Sequence, residues 1–288
     1  MIDRGIILAG GHGTRLSPLT KVINKQLLPL FDKPLIYYPL SVYMLAGIRN
    51  ILIITNPSET QFYKKILGNG ERLGIKLIYK VQKKPNGLPE AFIIANDFIK
   101  NKGVALILGD NFFYGQGFKN LLKENLKNNK GSTIFVYSVN NPSSYGVVEL
   151  GKKNKILKIS EKPKKPKSNL AITGLYFFDK RVVEFSKQLK PSSRRELEIT
   201  DLIKKYQKTK SLKVILIGRG SSWLDTGNIK DLFDASLFVS TIEKRQGLKI
   251  ACLEEIALKN GWINKSKIQD SIKFYGNCEY SSYLKKLI

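Results

Sequence analysis

Residues 5–15 read GIILAGGHGTR, and the fold turns on how this stretch is read. Residues 5–9 form a short, β-rich apolar run that stops at Gly10-Gly11, the pattern of a buried strand entering a glycine loop. Glycines there let backbone N–H groups face phosphate oxygens with no side chain in the way. No Gly-Lys-Ser/Thr follows, so this is not a P-loop, and the GxGxxG dinucleotide spacing is absent too. Arg15 can clamp phosphate with its fork, and Lys25 adds a point charge. A tight strand-to-helix turn with a solvated Arg would use the same glycines. Glycines, Arg15 and Lys25 together favour a triphosphate site.

Outward from this loop, strand and helix patterns alternate. Residues 50–55, 76–81 and 104–108 read as buried strands, and 35–47, 59–67 and 88–99 as helices, with Gly47 a helix stop. That alternation predicts an α/β fold with a mostly parallel central sheet. Tyr37, Tyr38, Tyr43 and Met44 read as helix-face packing. Beyond residue 130 the pattern becomes β-rich: strands over 133–139, 146–150, 171–178 and 213–217, helices over 182–189 and 198–207, and a stiff extended loop over 162–167. From Asn228 onward it reads as helices, over 229–243, 253–259 and a short stretch near the end. The expected organisation is a core over residues 1–240 and a C-terminal helical region over 241–288.

Composition narrows the function classes. The 288 residues are 42% hydrophobic and 10% aromatic, which argues for a folded core rather than disorder. The two cysteines, Cys252 and Cys278, form no CxxC pair or disulfide framework, so a reduced compartment is expected and a zinc site is not. His12 is the only histidine, which removes His-triad and His-rich metal chemistry. The net charge of +26 invites a nucleic-acid reading. The lysines, however, are scattered in pairs through polar stretches, and no nucleic-acid-binding motif accompanies them. Solvated surface is therefore the reading, with a field that helps collect phosphorylated small molecules. Residues 5–9 are too few for an export signal and no run reaches membrane-span length, so a cytoplasmic protein with no membrane or nucleic-acid partner is expected.

Asp110 follows the strand over 104–108 through Gly109, at the carboxyl edge where open α/β sheets bind ligands. A carboxylate there suits Mg²⁺, and an Asx turn with Asn111 is the competing role. Asp225, in WLDTG, is either a second metal carboxylate or the N-cap of the following helix. Glu161 could accept from two sugar hydroxyls and Lys162 could bind a phosphate, although an exposed charged turn would look the same. Tyr145-Gly146 and Thr173-Gly174 pair an aromatic or hydroxyl group with a glycine, compatible with a sugar lying close to the backbone.

The segments GGHGTRLSPLT with Lys25, LGDN around Asp110, EKP at Glu161 and WLDTG at Asp225, in this order, resemble the sugar nucleotidylyltransferases. QLLPLFDKPLIYYPLS, YGVVE, EKPKKPKSNLAITGLYF, LEITD and EKRQGLK are similar to the bacterial glucose-1-phosphate thymidylyltransferases of that family. The resemblance runs over residues 4–262. It implies a Rossmann-like nucleotidyltransferase core with a sugar-binding β-rich part and a helical C-terminal region. It implies Mg²⁺-dependent transfer of dTMP from dTTP to α-D-glucose 1-phosphate, releasing dTDP-glucose and pyrophosphate. This step opens dTDP-L-rhamnose synthesis for cell-surface polysaccharide such as the O-antigen of lipopolysaccharide. A homotetramer inhibited by the end product at a separate site is also implied. Carried over residue by residue, Gly10, Gly11, Gly13, Thr14 and Arg15 hold the triphosphate, with Lys25 on the phosphates and Gln26 nearby. Gln82 and Gly87 read the thymine edge, and Asp110 and Asp225 hold Mg²⁺. Tyr145, Gly146, Glu161, Ile172 and Gly174 hold glucose, and Lys162 its phosphate. Arg15, Lys25 and Lys162 are the catalytic cations. The sequence departs from the family at His12 and Asn24, where Ser is common, at Ile172, where Val is common, and at Pro89-Glu90, where smaller or neutral residues are usual. The alternatives are a sugar nucleotidylyltransferase of other nucleotide or sugar specificity and a non-catalytic binding protein on the same fold.

Overall fold

The apolar run after Arg4 becomes β1 (Arg4–Ala9), whose interior residues are buried because parallel strands flank it on both sides. The structure is a computed structural model and describes residues 2–288. After the glycine loop come the small hairpin β2 (Pro29–Leu30) and β3 (Lys33–Pro34), then α1 (Tyr37–Ala46), β4 (Asn50–Thr55), α2 (Thr60–Leu67) and β5 (Lys76–Val81). Two short helices, α3 (Glu90–Ile94) and α4 (Asn96–Ile99), lead to β6 (Val104–Leu108). The order β6-β1-β4-β5 is parallel throughout and forms the expected α/β half.

The second half is β-rich, also as expected. It contains β7 (Asn111–Gly115), α5 (Phe118–Lys127), β8 (Ser132–Ser138), β9 (Gly146–Leu150), β10 (Ile156–Glu161) and β11 (Leu170–Phe178). Then come α6 (Val182–Lys187), α7 (Ile199–Lys208), β12 (Leu212–Leu216) and β13 (Ser221–Asp225). β11 is the hinge of the sheet. It runs antiparallel to β6, β8 and β9, with β8 along one edge opposite both β6 and β9, extending one nine-stranded sheet across both halves. β7 and β13 form a separate antiparallel ribbon. The chain ends in helices α8 (Ile229–Gln246), α9 (Leu253–Lys259), α10 (Lys265–Tyr275) and α11 (Glu279–Lys285).

Several local expectations change. Residues 88–99 are two helices meeting at Ala95, where the backbone leaves helical geometry while both turns still bury Ala91, Phe92, Phe98 and Ile99. The end of the chain holds two helices instead of one short stretch; Ile268, Tyr283 and Leu284 bury around Cys252. Asp225 does not cap α8. That role falls to Asn228, whose Oδ1 accepts from the Asp231 N–H at 2.9 Å. The strands β2, β3, β7, β10 and β13 were not expected. Each is short, and charged or polar residues break up the alternation that would reveal it.

The α1 tyrosines pack as predicted, but their hydroxyls also do structural work. Tyr43 donates to the Ile6 carbonyl at 2.7 Å and Tyr38 to the Leu30 carbonyl at 2.7 Å, tying α1 to β1 and β2. Tyr37 Oη lies 2.9 Å from Tyr275 Oη, and Glu254, fully buried, accepts from Tyr275 at 2.8 Å and Tyr280 at 2.7 Å. This chain of hydroxyls onto one carboxylate fastens the C-terminal helices to the core. Glu254→Ala would remove the shared acceptor of the Tyr275 and Tyr280 hydroxyls and should lower stability by about 2 kcal/mol, since each lost bond of this kind costs about 1–3 kcal/mol. Urea unfolding checks this, and an unchanged midpoint would contradict it.

Candidate active site

The loop after β1 is shaped by Gly13, which sits in the left-handed region at φ 62°. Its carbonyl accepts from Thr20 Oγ1 at 2.8 Å, and a Cβ there would stand 2.9 Å from Thr20 Cγ2 and 3.1 Å from Lys25 Cβ. The loop therefore closes over Lys25. Asn24 is buried beneath it: its Oδ1 accepts from the Gln26 N–H at 3.0 Å and the Tyr63 hydroxyl at 2.8 Å, and its Nδ2 donates to Glu59. The departure at Asn24 thus has a purpose, because an amide spans more partners than a serine hydroxyl. Thr14 and Arg15 are exposed above this support.

The two acids come together through the β7–β13 ribbon. Asp225 stands opposite Asn111 in the register, beside Asp110, and Thr226 donates to the Asp110 carbonyl through both its N–H (3.1 Å) and its hydroxyl (2.8 Å). Lys25 Nζ pairs with Asp110. The Arg15 guanidinium lies over Gly227, where a Cβ would sit 2.7 Å from Arg15 Nη2 and 3.2 Å from Asp225 Oδ1. Burial alone would raise the Asp110 carboxyl, but Lys25 outweighs it and holds Asp110 below its ordinary range. Among the described residues Asp225 forms no such ion pair, and the charges of Lys25 and Arg15 only partly offset what raises it. Burial first, and then the charge of Asp110, push it up to about 7.

The donor set here is oxygen only. Besides the two carboxylates, the buried Gln26 Oε1 has no hydrogen-bond partner among the described residues, and the Gln26 side chain packs against Gly109, next to Asp110. A hard divalent cation fits these residues, because it takes carboxylate and amide oxygens and removes their mutual repulsion. Among the described residues no group of three His, Cys, Asp or Glu side chains could enclose a metal ion by itself. That pattern is ordinary for an ion completed by substrate phosphates.

A cleft of about 250 Å³ joins the two halves of the sheet. It is lined on one side by Gly11, Gln82 and Gly87, and on the other by Glu161, Lys162, Arg194 and Glu198. Gly10 also borders Gln82, since a Cβ on it would stand 3.0 Å from Gln82 Oε1. Gly87 bridges to Leu197, docking the base-side loop against the sugar side. Glu161 stands opposite Gly146 in the β9–β10 register. Its carboxyl is raised by burial and by Glu198, against Arg194 and Lys162. Arg194, which sequence reasoning missed, pairs with Glu161 at 3.0 Å and Glu198 at 2.6 Å. Its only signal was its position just before LEITD. The Lys162 N–H donates to the Tyr145 carbonyl at 3.0 Å, and the Tyr145 ring packs edge-on against Trp223 with centroids 5.2 Å apart. Ile172 is buried beside Gly146. At Gly174 the N–H is already engaged by Asn111 Oδ1 at 2.9 Å, which also accepts from Trp223 Nε1 at 2.6 Å. His12 is exposed on the loop, outside this network.

A nucleotidyl transferase family model matches residues 4–242. The chain belongs to the nucleotidyl transferase family. Within it, the chain is 52% identical over 285 residues to a glucose-1-phosphate thymidylyltransferase of Neisseria meningitidis serogroup A, covering 99% of each. It is 47% identical over 285 residues to the enzyme of that name from Mycobacterium tuberculosis, again covering 99% of each. Its fold is similar to a crystal structure of a Bacillus anthracis protein titled as such a thymidylyltransferase in complex with a sucrose. The TM-score is 0.76 and the identity 38%, over 82% of this chain and 94% of that one. A UDP-glucose pyrophosphorylase complexed with UDP-glucose is similar at TM-score 0.73 and 26% identity, over 85% of this chain and all of that one. The expected resemblance and the α/β nucleotidyltransferase fold are both borne out.

The raised Asp225 has a consequence for stability. With its folded value at about 7 and its unfolded value near 3.8, the folded state holds that proton more tightly, so stability falls as pH rises between those values. In chelator, Asp225→Asn should match the wild type near pH 4 and become progressively the more stable of the two up to about pH 7, by a few kcal/mol. Urea unfolding across pH checks this, and a difference that ignores pH would contradict it.

Proposed function

We propose that this nucleotidyl transferase moves dTMP from dTTP to α-D-glucose 1-phosphate, yielding dTDP-glucose and pyrophosphate. The observation that carries the reading is the meeting of Asp110 and Asp225 beside Lys25 and Arg15; Lys25 in turn borders Gly11, where a Cβ would stand 3.9 Å from its Cε, and Gly11 lines the same cleft as Glu161 and Lys162. The names of the thymidylyltransferases to which the chain is similar support the choice of substrates.

The attacking group is a sugar phosphate oxygen, already anionic at neutral pH. No general base is needed, which suits a site outside which the single histidine lies. The obstacle is bringing two polyanions together. Like unit charges about 4 Å apart repel by about 4 kcal/mol at an effective dielectric near 20. Lys25 and Arg15 lie on the triphosphate side and Lys162 on the sugar phosphate side. They offset that repulsion and stabilise charge as the oxygen attacks the α-phosphorus in line and pyrophosphate leaves. The backbone N–H groups of the Gly10–Thr14 loop cradle the phosphates. Asp110 and Asp225 would hold Mg²⁺, which supplies Lewis acidity to the phosphoryl oxygens when bound. Glu161 takes glucose hydroxyls, and Arg194 fixes its carboxylate in place.

On this reading the protein acts in the cytoplasm at the start of dTDP-L-rhamnose synthesis for cell-surface polysaccharide. Its C-terminal region over 241–288, the last turns of α8 with α9 to α11, serves assembly into a homotetramer and inhibition by the end product. Among the described residues no helix is long and apolar enough to cross a membrane.

Pyrophosphate release with glucose 1-phosphate, measured across dTTP, UTP, CTP and ATP with and without Mg²⁺, should be greatest with dTTP and Mg²⁺. Turnover confined to another nucleotide would replace the substrate assignment. Asp110→Asn should lower kcat by on the order of 10²-fold, the usual effect of removing a transition-state charge stabiliser. Near wild-type kcat in that variant would remove Asp110 from the phosphoryl-transfer machinery.

A further inference from the structure

The departure at Glu90 falls directly behind the side chain assigned to the base. Gln82 is buried, its backbone N–H donates to the Thr55 carbonyl at 2.9 Å, and its Nε2 donates to Glu90 Oε2 at 2.6 Å. The other Glu90 oxygen accepts from Asn86 Nδ2 at 2.8 Å. An ionised carboxylate only accepts hydrogen bonds, whereas a Gln side chain offers an acceptor at one end and donors at the other. Beside Glu90 the Gln82 amide therefore has one acceptable orientation, with Nε2 toward the carboxylate and Oε1 away from it. The opposite orientation would set an amide oxygen against a carboxylate oxygen with no proton between them. The structure shows the consequence: Oε1 lies toward Gly10, 3.0 Å from where a Cβ would be, and Gln82 and the next residue of that loop, Gly11, both line the cleft. A neighbouring amide repeats the arrangement. Asn56 Nδ2 donates to Glu59 Oε2 at 3.1 Å, and Asn56 Oδ1 also lies on the Gly10 side.

We propose that Glu90 is a positioning residue that locks the Gln82 amide so that it accepts the ring N–H of thymine or uracil and rejects cytosine. The inference rests on the proposed base-reading role of Gln82. Thymine and uracil carry a proton on N3 beside the O4 acceptor, so Oε1 accepts from N3–H while the remaining Nε2 proton can meet O4. Cytosine presents the reverse, an N3 acceptor beside an amino donor, and would need the amide turned over. With Glu90 in place that flip leaves a buried acceptor facing an acceptor. With a neutral Gln at this position, the side chain at 90 could donate to Gln82 Oε1, and both orientations become available.

The experiment compares kcat/KM for dTTP and dCTP, with glucose 1-phosphate as acceptor, in the wild type, Glu90→Gln, Glu90→Ala and Gln82→Ala. Glu90→Gln keeps shape and volume, so the melting temperature and the KM for glucose 1-phosphate should stay at wild-type values. The dTTP-over-dCTP ratio should fall about tenfold or more, the scale of one mispaired buried hydrogen bond, mainly through better use of dCTP. Glu90→Ala, which releases the amide altogether, should shift the ratio in the same direction. If Gln82→Ala abolishes discrimination while both Glu90 variants keep it, the positioning role is overturned and the base-reading role stands. If Gln82→Ala itself keeps the wild-type ratio, the base-reading role falls and this inference falls with it.

Discussion

A buried carboxylate, Asp110, and a half-buried one, Asp225, repel each other, and the architecture around the glycine loop is organised by that repulsion. The β7–β13 ribbon sets Asp225 beside Asp110, and Thr226 pins the crossing by donating twice to the Asp110 carbonyl. Lys25 neutralises one of the pair, held there by a loop that only a left-handed Gly13 lets close. The other acid is left with Arg15 nearby and a carboxyl titrating near neutrality. Such a pair gains from a divalent cation and from the anions that arrive with one. Supporting side chains such as Asn24, Tyr63 and Glu59 serve to keep the cationic loop from relaxing away.

The remaining parts follow from how the sheet is joined. β11 lies antiparallel to β6 and so attaches a β-rich half of mixed, mostly antiparallel strands to a parallel one. The carboxyl ends of β1 and β6 then face the end of β10 that carries Glu161. A single cleft is lined by the glycine loop and Gln82 at one end and by Glu161, Lys162 and Arg194 at the other. Two phosphorylated molecules entering from the two halves would meet where the cations are.

Much of this was legible in the residues. The apolar runs of β1, β4, β5 and β6 are bounded by Gly, Asn or Asp, and a parallel sheet buried on both faces leaves that pattern. Asp110 could be placed because the carboxyl end of a strand is a positional signal that one sequence carries. Asp225 could be named only as one of two possibilities, because its partner lies on a different strand and the pairing of β13 with β7 has no local signature. For the same reason Arg194 went unseen: its importance comes from facing Glu161, 33 residues away in the chain. The tyrosines of α1 were legible as packing but not as donors, since a hydroxyl's partner is set by the tertiary arrangement. Glu90 was visible as a departure, and its meaning came only with the orientation of Gln82.

We propose that Asp110 and Asp225 together hold one divalent cation at the triphosphate. Anomalous diffraction from crystals grown with Mn²⁺ and dTTP tests it most directly. One strong manganese peak is expected, within reach of a phosphate and of oxygens of both Asp110 and Asp225. A peak bound elsewhere, or the two side chains turned apart with the ion on neither, would contradict it.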